Sequence, residues 1–189
     1  MAILRVPLTQ SRKAGSRDYR SGSCFDSSGR EELSLGSFVS MLEDDANVPP
    51  DDLVPVAPIR VVIDESEDGQ HLFFLREING DAVFPIAAGF CEAAALDRLL
   101  RERSGEAFSL RPLTHELLLN AIEALRGRVE RAIITRLENE TFFARIVVRR
   151  EEADLHLDAR PSDAVCVALQ AGAPLYVLRG LLDSISGEV

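Results

Sequence analysis

Two short polar clusters in the sequence carry residue types that could act on a phosphate ester. The first, R-P-L-T-H-E, spans residues 111–116, and the second, D-A-R-P-S-D, spans residues 158–163. A histidine can accept or donate a proton near neutral pH, and an arginine can bind phosphate oxygens through two N–H groups. Carboxylates can hold a divalent cation that activates water. Together these are the groups that cleavage of a phosphodiester bond requires.

These residues divide among three expected roles. Proton transfer is assigned to His115, with Asp158 and Asp163 as further catalytic residues. The predicted substrate-binding residues are Arg111, Thr114, Arg160 and Ser162. The predicted ligands of a divalent metal ion such as Mg2+ are Asp158, Asp163 and Glu92.

Both clusters lie where helices are predicted to begin, and this position also allows a purely structural interpretation. Pro161 suits the first helical position, Asp163 in the first turn favours the helix dipole, and Thr114 is the expected N-cap of its own helix. Unpaired N–H groups at a helix start also favour an anion, and Arg111 and Arg160 would extend such a site. The pattern leaves capping and anion binding both open.

Several common catalytic signatures are absent from the sequence. It contains no G-x-G-x-x-G, Walker A, G-x-S-x-G or H-E-x-x-H motif, and its three cysteines form no C-x-x-C pair. Classical nucleotide-binding, serine-hydrolase and zincin mechanisms are therefore not expected. In "ADLHLDA", Asp154, His156 and Asp158 share one strand face, which could flank a site or simply be solvated.

The elements that must position these residues follow from periodicity and turn signals. The segments "IRVVID" from Ile59, "HLFFLREI" and "AVFPIAA" read as strands, with N-G-D at 79–81 as a hairpin turn. Helices are predicted over 89–103, from Thr114 to a stop at Gly127, and over 161–171. Between the last two lie two or three strands, broken at 138–140 and 151–152, and "PLYVL" with a short helix closes the chain. In the second helix the side chains expected to face inward are Leu117, Leu118, Ile122 and Leu125.

This order of elements predicts an α+β fold, with a mixed, mostly antiparallel sheet flanked by helices. We expect one compact domain over residues 56–189. Residues 1–55 are expected to be a disordered Ser/Gly-rich basic tail followed by an acidic, proline-rich linker. No apolar run is long enough to cross a membrane, and the cysteine pattern indicates a reducing compartment, so a cytoplasmic protein is expected.

Charge limits how the protein could bind a polyanion. The net charge is −10, although the first thirty residues hold six basic and only two acidic side chains. Such an acidic body would not bind nucleic acid through bulk electrostatics, so contact should be transient and depend on a local group of arginines.

The two motifs R-P-L-T-H and D-A-R-P-S-D, with the sequence around them, resemble the bifunctional nuclease domain family, formerly a domain of unknown function. The similarity runs from about Ile59 to Asp183 and includes Glu92 in a G-x-x-E-A helix start. It implies a compact α/β domain that tends to form oligomers and has nuclease activity on DNA and RNA. The chain departs from the family pattern at Ala87 and Ala88, where an aromatic and a branched residue are frequent, and at Glu116, where Asp is usual.

We therefore expect a hydrolase: a nuclease, aided by a metal ion, that acts on single-stranded or flexible nucleic acid and forms homo-oligomers. One alternative is a non-catalytic regulatory module that binds a phosphorylated ligand or an acidic partner. A further alternative is a scaffold in which the polar clusters are only helix caps and intersubunit pairs. The enzymatic prediction requires the two clusters, almost fifty positions apart, to meet in space.

Overall fold

The described part of the chain forms seven strands and four α-helices. The computed structural model describes residues 49–64, 66, 69–106 and 111–186, all within the unit that spans residues 41–189. The expected disordered tail, up to residue 48, lies outside the described residues. The strands are β1 Leu53–Val62, β2 His71–Glu77, β3 Val83–Ala88, β4 Gly127–Glu138, β5 Thr141–Arg150, β6 Ala153–Ala159 and β7 Leu175–Leu178. The helices are α1 Phe90–Arg103, α2 Thr114–Ala124, α3 Pro161–Ala171 and α4 Arg179–Ser186.

All seven strands belong to one sheet, in the order β3-β2-β1-β7-β4-β5-β6. Only the pairing of β4 with β7 is parallel, and every other neighbouring pair is antiparallel. The parallel pair arises because β7 follows α3, which packs on β4 and β5 and returns the chain to the middle of the sheet. The predicted α+β fold, its mostly antiparallel mixed sheet and the order of its elements are confirmed.

The hydrophobic core lies between the sheet and helices α1 and α3. Phe73 of β2, Leu96 of α1, Ile134 of β4 and Val165 of α3 are completely buried. Burial of one such side chain stabilises the fold by about 1.5–3 kcal/mol. Helix α3 contacts α1 as well as α2, and its residues 164–168 are all buried. This central position of α3 brings its start close to the helices on either side.

Strand β1 begins at Leu53, six residues before the predicted start at Ile59 and inside the segment expected to be linker. Val54 and Val56 are buried and alternate with less buried neighbours, as in a strand that packs on one face. Pro55 nevertheless pairs with Tyr176 of β7 within this strand. The prolines suggest a linker, whereas the spacing of Val54 and Val56, which puts both on one strand face, indicates the strand that the structure has.

Helix α2 differs from its prediction at both ends. Its N-cap is Leu113, not Thr114, and the Glu116 carboxylate accepts the Leu113 backbone N–H at 2.7 Å. At the other end Arg126, with φ of 62°, adopts the left-handed conformation expected of Gly127, which is instead the first residue of β4. A Cβ on Gly127 would lie only 2.9 Å from Cγ1 of Val148, so this glycine allows close packing of the strands and α2.

The inward face predicted for α2 is mostly wrong. Ile122 is buried, but Leu117, Leu118 and Leu125 are 62%, 42% and 68% exposed. Helix α2 packs on α3 and the start of β4 through a narrow stripe of its surface, which leaves these leucines outside.

No helix among the described residues combines the length and the apolar character needed to cross a lipid bilayer.

Candidate functional site

The first turns of three helices meet on one side of the domain. Glu92 lies in the first turn of α1, and His115 is the second residue of α2. Arg160 is the N-cap of α3, and Asp163 is the third residue of that helix. Each of these helix starts has unpaired N–H groups and a partial positive charge, an environment that favours carboxylates and other anions.

Asp163 is the centre of the hydrogen bonds that join these helices. Its Oδ1 lies 2.9 Å from Nε2 of His115, and its Oδ2 accepts Nε of Arg160 at 2.7 Å. Arg160 Nη2 lies 3.2 Å from Asp163 Oδ1 and 2.7 Å from Oε1 of Glu92. We call these four residues the Asp163 network. The two polar clusters, 48 positions apart at His115 and Asp163, therefore meet in space as expected.

The electrostatics of the network fix which atom of His115 carries a proton. Burial disfavours the charged form of Asp163, but hydrogen bonds from Arg160 and His115 outweigh it and leave the pKa of this carboxyl below its usual value. Asp163 is thus ionised at neutral pH and can only accept hydrogen bonds. The hydrogen between the two side chains must belong to Nε2 of His115, and Nδ1 is the nitrogen that can accept a proton from another molecule.

The side chains of the Asp163 network differ in how much of their surface is exposed to solvent. The side chains of His115 and Asp163 are 13% and 24% exposed, whereas that of Arg160 is 65% exposed. The guanidinium is thus held by two carboxylates while most of its side chain faces solvent. This combination gives a fixed cation that an anionic ligand can approach.

Gly89 lies next to the carboxylate of Glu92, which contacts Arg160. A Cβ at position 89, the N-cap of α1, would meet Oε2 of Glu92, so a larger residue there would require this flexible carboxylate to shift. The G-x-x-E spacing noted in the sequence therefore places the glycine beside this carboxylate. Glu92 is an ion-pair partner of Arg160 here, a contact that the sequence did not predict.

Cys166 lies in α3, one turn after Asp163, and is completely buried. Burial, with smaller contributions from the negative charges of Asp163 and Glu92, raises the pKa of its thiol to about 12. The thiol therefore stays protonated at neutral pH and is a packing residue, not a nucleophile.

Arg98, which sequence reasoning missed, connects α1 to the start of α2. Its Nη2 contacts Oε1 of Glu116 at 2.8 Å, and its Nε contacts Oε1 of Glu102, also at 2.8 Å. Because Glu116 also binds the Leu113 N–H, Arg98 helps to fix the turn that carries His115. The i,i+4 spacing of Arg98 and Glu102 was a visible signal, whereas the contact with Glu116 depends on how the two helices pack.

Other predicted site residues occupy varied positions around the network. Thr114 and Arg111 are exposed, the first at the start of α2 and the second shortly before it, while Ser162 is buried in the first turn of α3. Asp158 is exposed on β6 opposite Arg145, whereas its neighbour Leu157 pairs with the core residue Ile146. Since cross-strand partners share a face, Asp158 points to the sheet face opposite the helices and is not part of the network.

The predicted metal ligands do not form a set that fits a divalent cation. Asp158 lies on the other sheet face, and Arg160 already bridges Glu92 and Asp163. Within the ranges that the structure describes, no three His, Cys, Asp or Glu side chains are grouped as a metal ion requires. No step proposed for this site therefore passes through a metal ion.

The geometry can nevertheless do two kinds of chemistry. An imidazole oriented by a carboxylate can accept a proton at Nδ1, and a fixed guanidinium beside it can bind a phosphate oxygen. The nearby helix starts favour the same negatively charged ligand.

Comparison with known proteins places these observations in a family. Residues 73–189 match the bifunctional nuclease domain. Uncharacterized proteins from two strains of Mycobacterium tuberculosis are each 39% identical to this chain over 129 residues, which cover 68% of this chain and 73% of theirs. The chain belongs to the bifunctional nuclease domain family.

Proposed function

We propose that the protein is a nuclease and that the Asp163 network is its reaction site. The observation that carries this proposal is the hydrogen-bonded series His115–Asp163–Arg160, which joins a proton acceptor, its orienting carboxylate and a phosphate-binding cation. The family name supports phosphodiester cleavage as the reaction.

Each member of the network has a distinct part in the proposed reaction. Nδ1 of His115 takes a proton from the attacking water as its oxygen bonds to phosphorus, the ester P–O bond breaks, and the imidazolium returns the proton to the departing oxygen. Asp163 holds the imidazole in the required tautomer and stabilises its positive charge. Arg160 binds the phosphate and neutralises charge that develops on it. Glu92 fixes the guanidinium from the other side. Arg111 and Thr114, exposed at or near the start of α2, are proposed to contact the substrate backbone, whereas the predicted contact Ser162 is buried in the first turn of α3.

The proposed substrates are DNA and RNA in single-stranded or flexible form. A flexible strand can bend to bring one phosphate to the site shared by three helix starts, whereas a rigid duplex can do so less easily. With a net charge of −10, the protein should bind them weakly and lose activity as salt rises. A proposed cytoplasmic location rests on the sequence alone. Self-association is also proposed, supported by exposed leucines on and before α2: Leu113, Leu117, Leu118 and Leu125.

The experiment that tests the proposal compares His115→Gln with wild type on fluorescent single-stranded DNA and RNA oligonucleotides. Glutamine can keep an N–H donor near Asp163 but cannot accept the proton, so the rate should fall about 10²–10⁴-fold. His156→Gln is the matched control. His156 lies on β6 on the other sheet face, so this variant should retain the activity of the wild type. Equal cleavage by wild type and His115→Gln, purified in the same way, would refute the proposed site.

A second function, recognition of a phosphorylated ligand without turnover, is favoured by the largely exposed position in which Glu92 and Asp163 hold the guanidinium of Arg160. Such a module would be stabilised thermally by a non-cleavable oligonucleotide and would produce no product. It would lose this stabilisation in Arg160→Gln and keep it in His115→Gln.

A further inference from the structure

We propose that a single-stranded nucleic acid held at the Asp163 network continues across the sheet face away from α3, where arginines of β4 and β5 attract its phosphates. This inference rests on the proposed function and assigns the substrate a second binding surface. These arginines form what we call the arginine face: Arg128, Arg131, Arg136, Arg145 and Arg149. Phosphates and bases occur in DNA and RNA alike, so the surface serves both substrates.

The strand register places these side chains on one face of the sheet. Arg145 and Arg149 alternate along β5 with Ile146 and Val148 of the core, so both point away from α3. On β4, Arg128 lies directly opposite Arg149, and residues opposite each other in neighbouring strands share a face. The remaining partners on this face are Arg131 with Val147 and Arg136 with Phe143. In a chain with a net charge of −10, one surface therefore concentrates arginines.

The cations at one end of the arginine face outnumber the carboxylates that contact them. Arg128 and Arg149 are direct neighbours across β4 and β5, and like charges in this arrangement destabilise a sheet. Asp154 contacts Nε of Arg149 at 2.6 Å through Oδ1, and its Oδ2 lies 4.0 Å from Nη2 of Arg131. Glu130 contacts Arg128. Among the described residues, three guanidinium groups thus share two carboxylates, and a phosphate would supply the missing negative charge.

His156, which lies opposite Val147 on β6, experiences the positive potential of this face. Burial lowers the pKa of its imidazole, and the positive charges of Arg145 and Arg131 lower it further against the opposing effect of Asp154. Arg145 is buried and acts here through its charge, which favours a phosphate at the surface above it. Because His156 is neutral at pH 7, His156→Gln leaves the charge of the arginine face unchanged.

The arginine face approaches the Asp163 network at the end of β6, the edge strand of the sheet. Continuing the pairing of β5 with β6 by one residue places Arg160 beside Phe143. Cζ of Arg136 lies 4.1 Å from the centre of the Phe143 ring, and guanidinium planes bind phosphate and stack on unpaired bases. From Phe143 to Arg149 the face extends along β5 for about 20 Å, at roughly 3.3 Å per residue. A flexible single strand can therefore span Arg160, Arg136 and Arg149, whereas the paired and stacked bases of a duplex cannot contact the guanidinium planes.

The test measures binding of fluorescent single-stranded DNA to the full chain carrying His115→Gln, so that the bound strand is not cleaved. A trinucleotide covers only the reaction site, whereas a dodecanucleotide also reaches the arginine face. We expect Arg149→Gln to weaken binding of the dodecanucleotide alone, and to lower the slope of log affinity against log salt concentration by about 0.7. Asp154→Asn should tighten binding of the dodecanucleotide, because it removes a carboxylate that competes with phosphate for Arg131 and Arg149. A variant that merely damaged the fold would not bind more tightly.

Arg60→Gln is the matched control for the loss of one arginine. Cζ of Arg60 lies 4.2 Å from the centre of the Phe74 ring on the same sheet face, but Arg60 belongs to β1, which β7 separates from β4. Its replacement removes the same charge and the same kind of ring contact that Arg136 makes. Binding of the dodecanucleotide should stay unchanged, because Arg60 lies away from the strands that lead to Arg160.

The outcomes separate this inference from the proposed function. Equal losses in Arg149→Gln and Arg60→Gln, equal losses for both oligonucleotides, or no tightening by Asp154→Asn would overturn the inference. If the wild-type chain still cleaved DNA in a manner that required His115, the proposed nuclease site would stand. Binding through the arginine face without any cleavage that requires His115 would support the surface and overturn the proposed reaction.

Discussion

Replacing Asp163 by asparagine tests whether the network stabilises the fold in the manner that the structure indicates. The substitution keeps the size of the side chain but removes its charge. The asparagine would offer one oxygen where Asp163 offers two, and its NH2 group would face an N–H donor of either His115 or Arg160. In one orientation Nε of Arg160 loses its acceptor, in the other His115 must change tautomer, and in both the charge of the carboxylate is lost.

The size of the effect follows from these contacts. A hydrogen bond to a charged group contributes about 1.5–3 kcal/mol to stability, and an unsatisfied buried donor costs a similar amount. His115 is 13% exposed, so its N–H cannot easily turn to water, whereas Arg160 is 65% exposed and loses less. We therefore expect Asp163→Asn to lower the free energy of unfolding by about 2–3 kcal/mol at pH 7.

The pH dependence of this difference has a defined sign. The pKa of Asp163 in the folded protein lies below its ordinary value of 3.8, because the hydrogen bonds from Arg160 and His115 outweigh the opposing effect of burial. A carboxyl group of this kind stabilises the fold above the unfolded pKa, and its contribution is lost as the pH falls through the folded pKa. The difference between wild type and Asp163→Asn should thus be present at neutral pH and shrink below about pH 4.

Urea denaturation followed by circular dichroism at several pH values measures both effects. Asp183→Asn is the matched control, since Asp183 is exposed on α4 and should change stability little. If Asp163→Asn were as stable as Asp183→Asn at pH 7, or if its deficit stayed the same at pH 3, the assignment of Asp163 as the ionised centre of the network would be refuted.

Two further predictions concern how α2 is held in place. Gly127→Ala should cost about 1–3 kcal/mol by overpacking against Val148. Urea denaturation should find a smaller cost in a Val148→Ala background, and equal costs in both would contradict the packing argument. In a double-mutant cycle of Arg98→Gln and Glu116→Gln, the partly buried ion pair should give a coupling free energy of about 1 kcal/mol. Strict additivity of the two single changes would show that the pair does not connect α1 to α2.

The order of elements could be predicted because its signals are local. The turn between β4 and β5 is an example: Asn139 and Glu140 both have positive φ, with values of 48° and 62°, as a two-residue hairpin with the twist of its strands requires. The polar interruption at 138–140 marked this turn in the sequence. Alternation on either side then fixed the two strands, and no distant contact was needed.

The exposed leucines of α2 could not be predicted, because the pattern of apolar residues on a helix does not say how wide a stripe its neighbours cover. Leu117 and Ile122 are both apolar and both compatible with an inward face, yet one is 62% exposed and the other is buried. The difference is set by the position of α3 and β4, which only the packed fold defines. The start of β1 was hidden for another reason, since Pro55 and Pro58 are more typical of a linker than of a strand.

The candidate site was partly visible from the sequence. The residue types and their positions before helices indicated His115, Arg160 and Asp163, but the sequence could not say that α1 would bring Glu92 to the same arginine. Assigning Glu92 to a metal site was natural for a carboxylate near a cleft. In the structure the Glu92 carboxylate instead forms an ion pair with Arg160, because α1 and α3 pack with their starts side by side.

The choice between helix caps and a ligand site, which the sequence left open, can be made residue by residue. Glu116 is a cap, because its carboxylate accepts the Leu113 backbone N–H at the start of α2. Asp163 lies at the equivalent third position of α3, but both of its oxygens bind side chains, those of His115 and Arg160. A carboxylate whose only role was to cap the start of a helix would accept hydrogen bonds from backbone N–H groups. That Asp163 instead orients an imidazole and a guanidinium is the physical reason for which we propose chemistry there, while the carboxylate at the same position of α2 serves the fold.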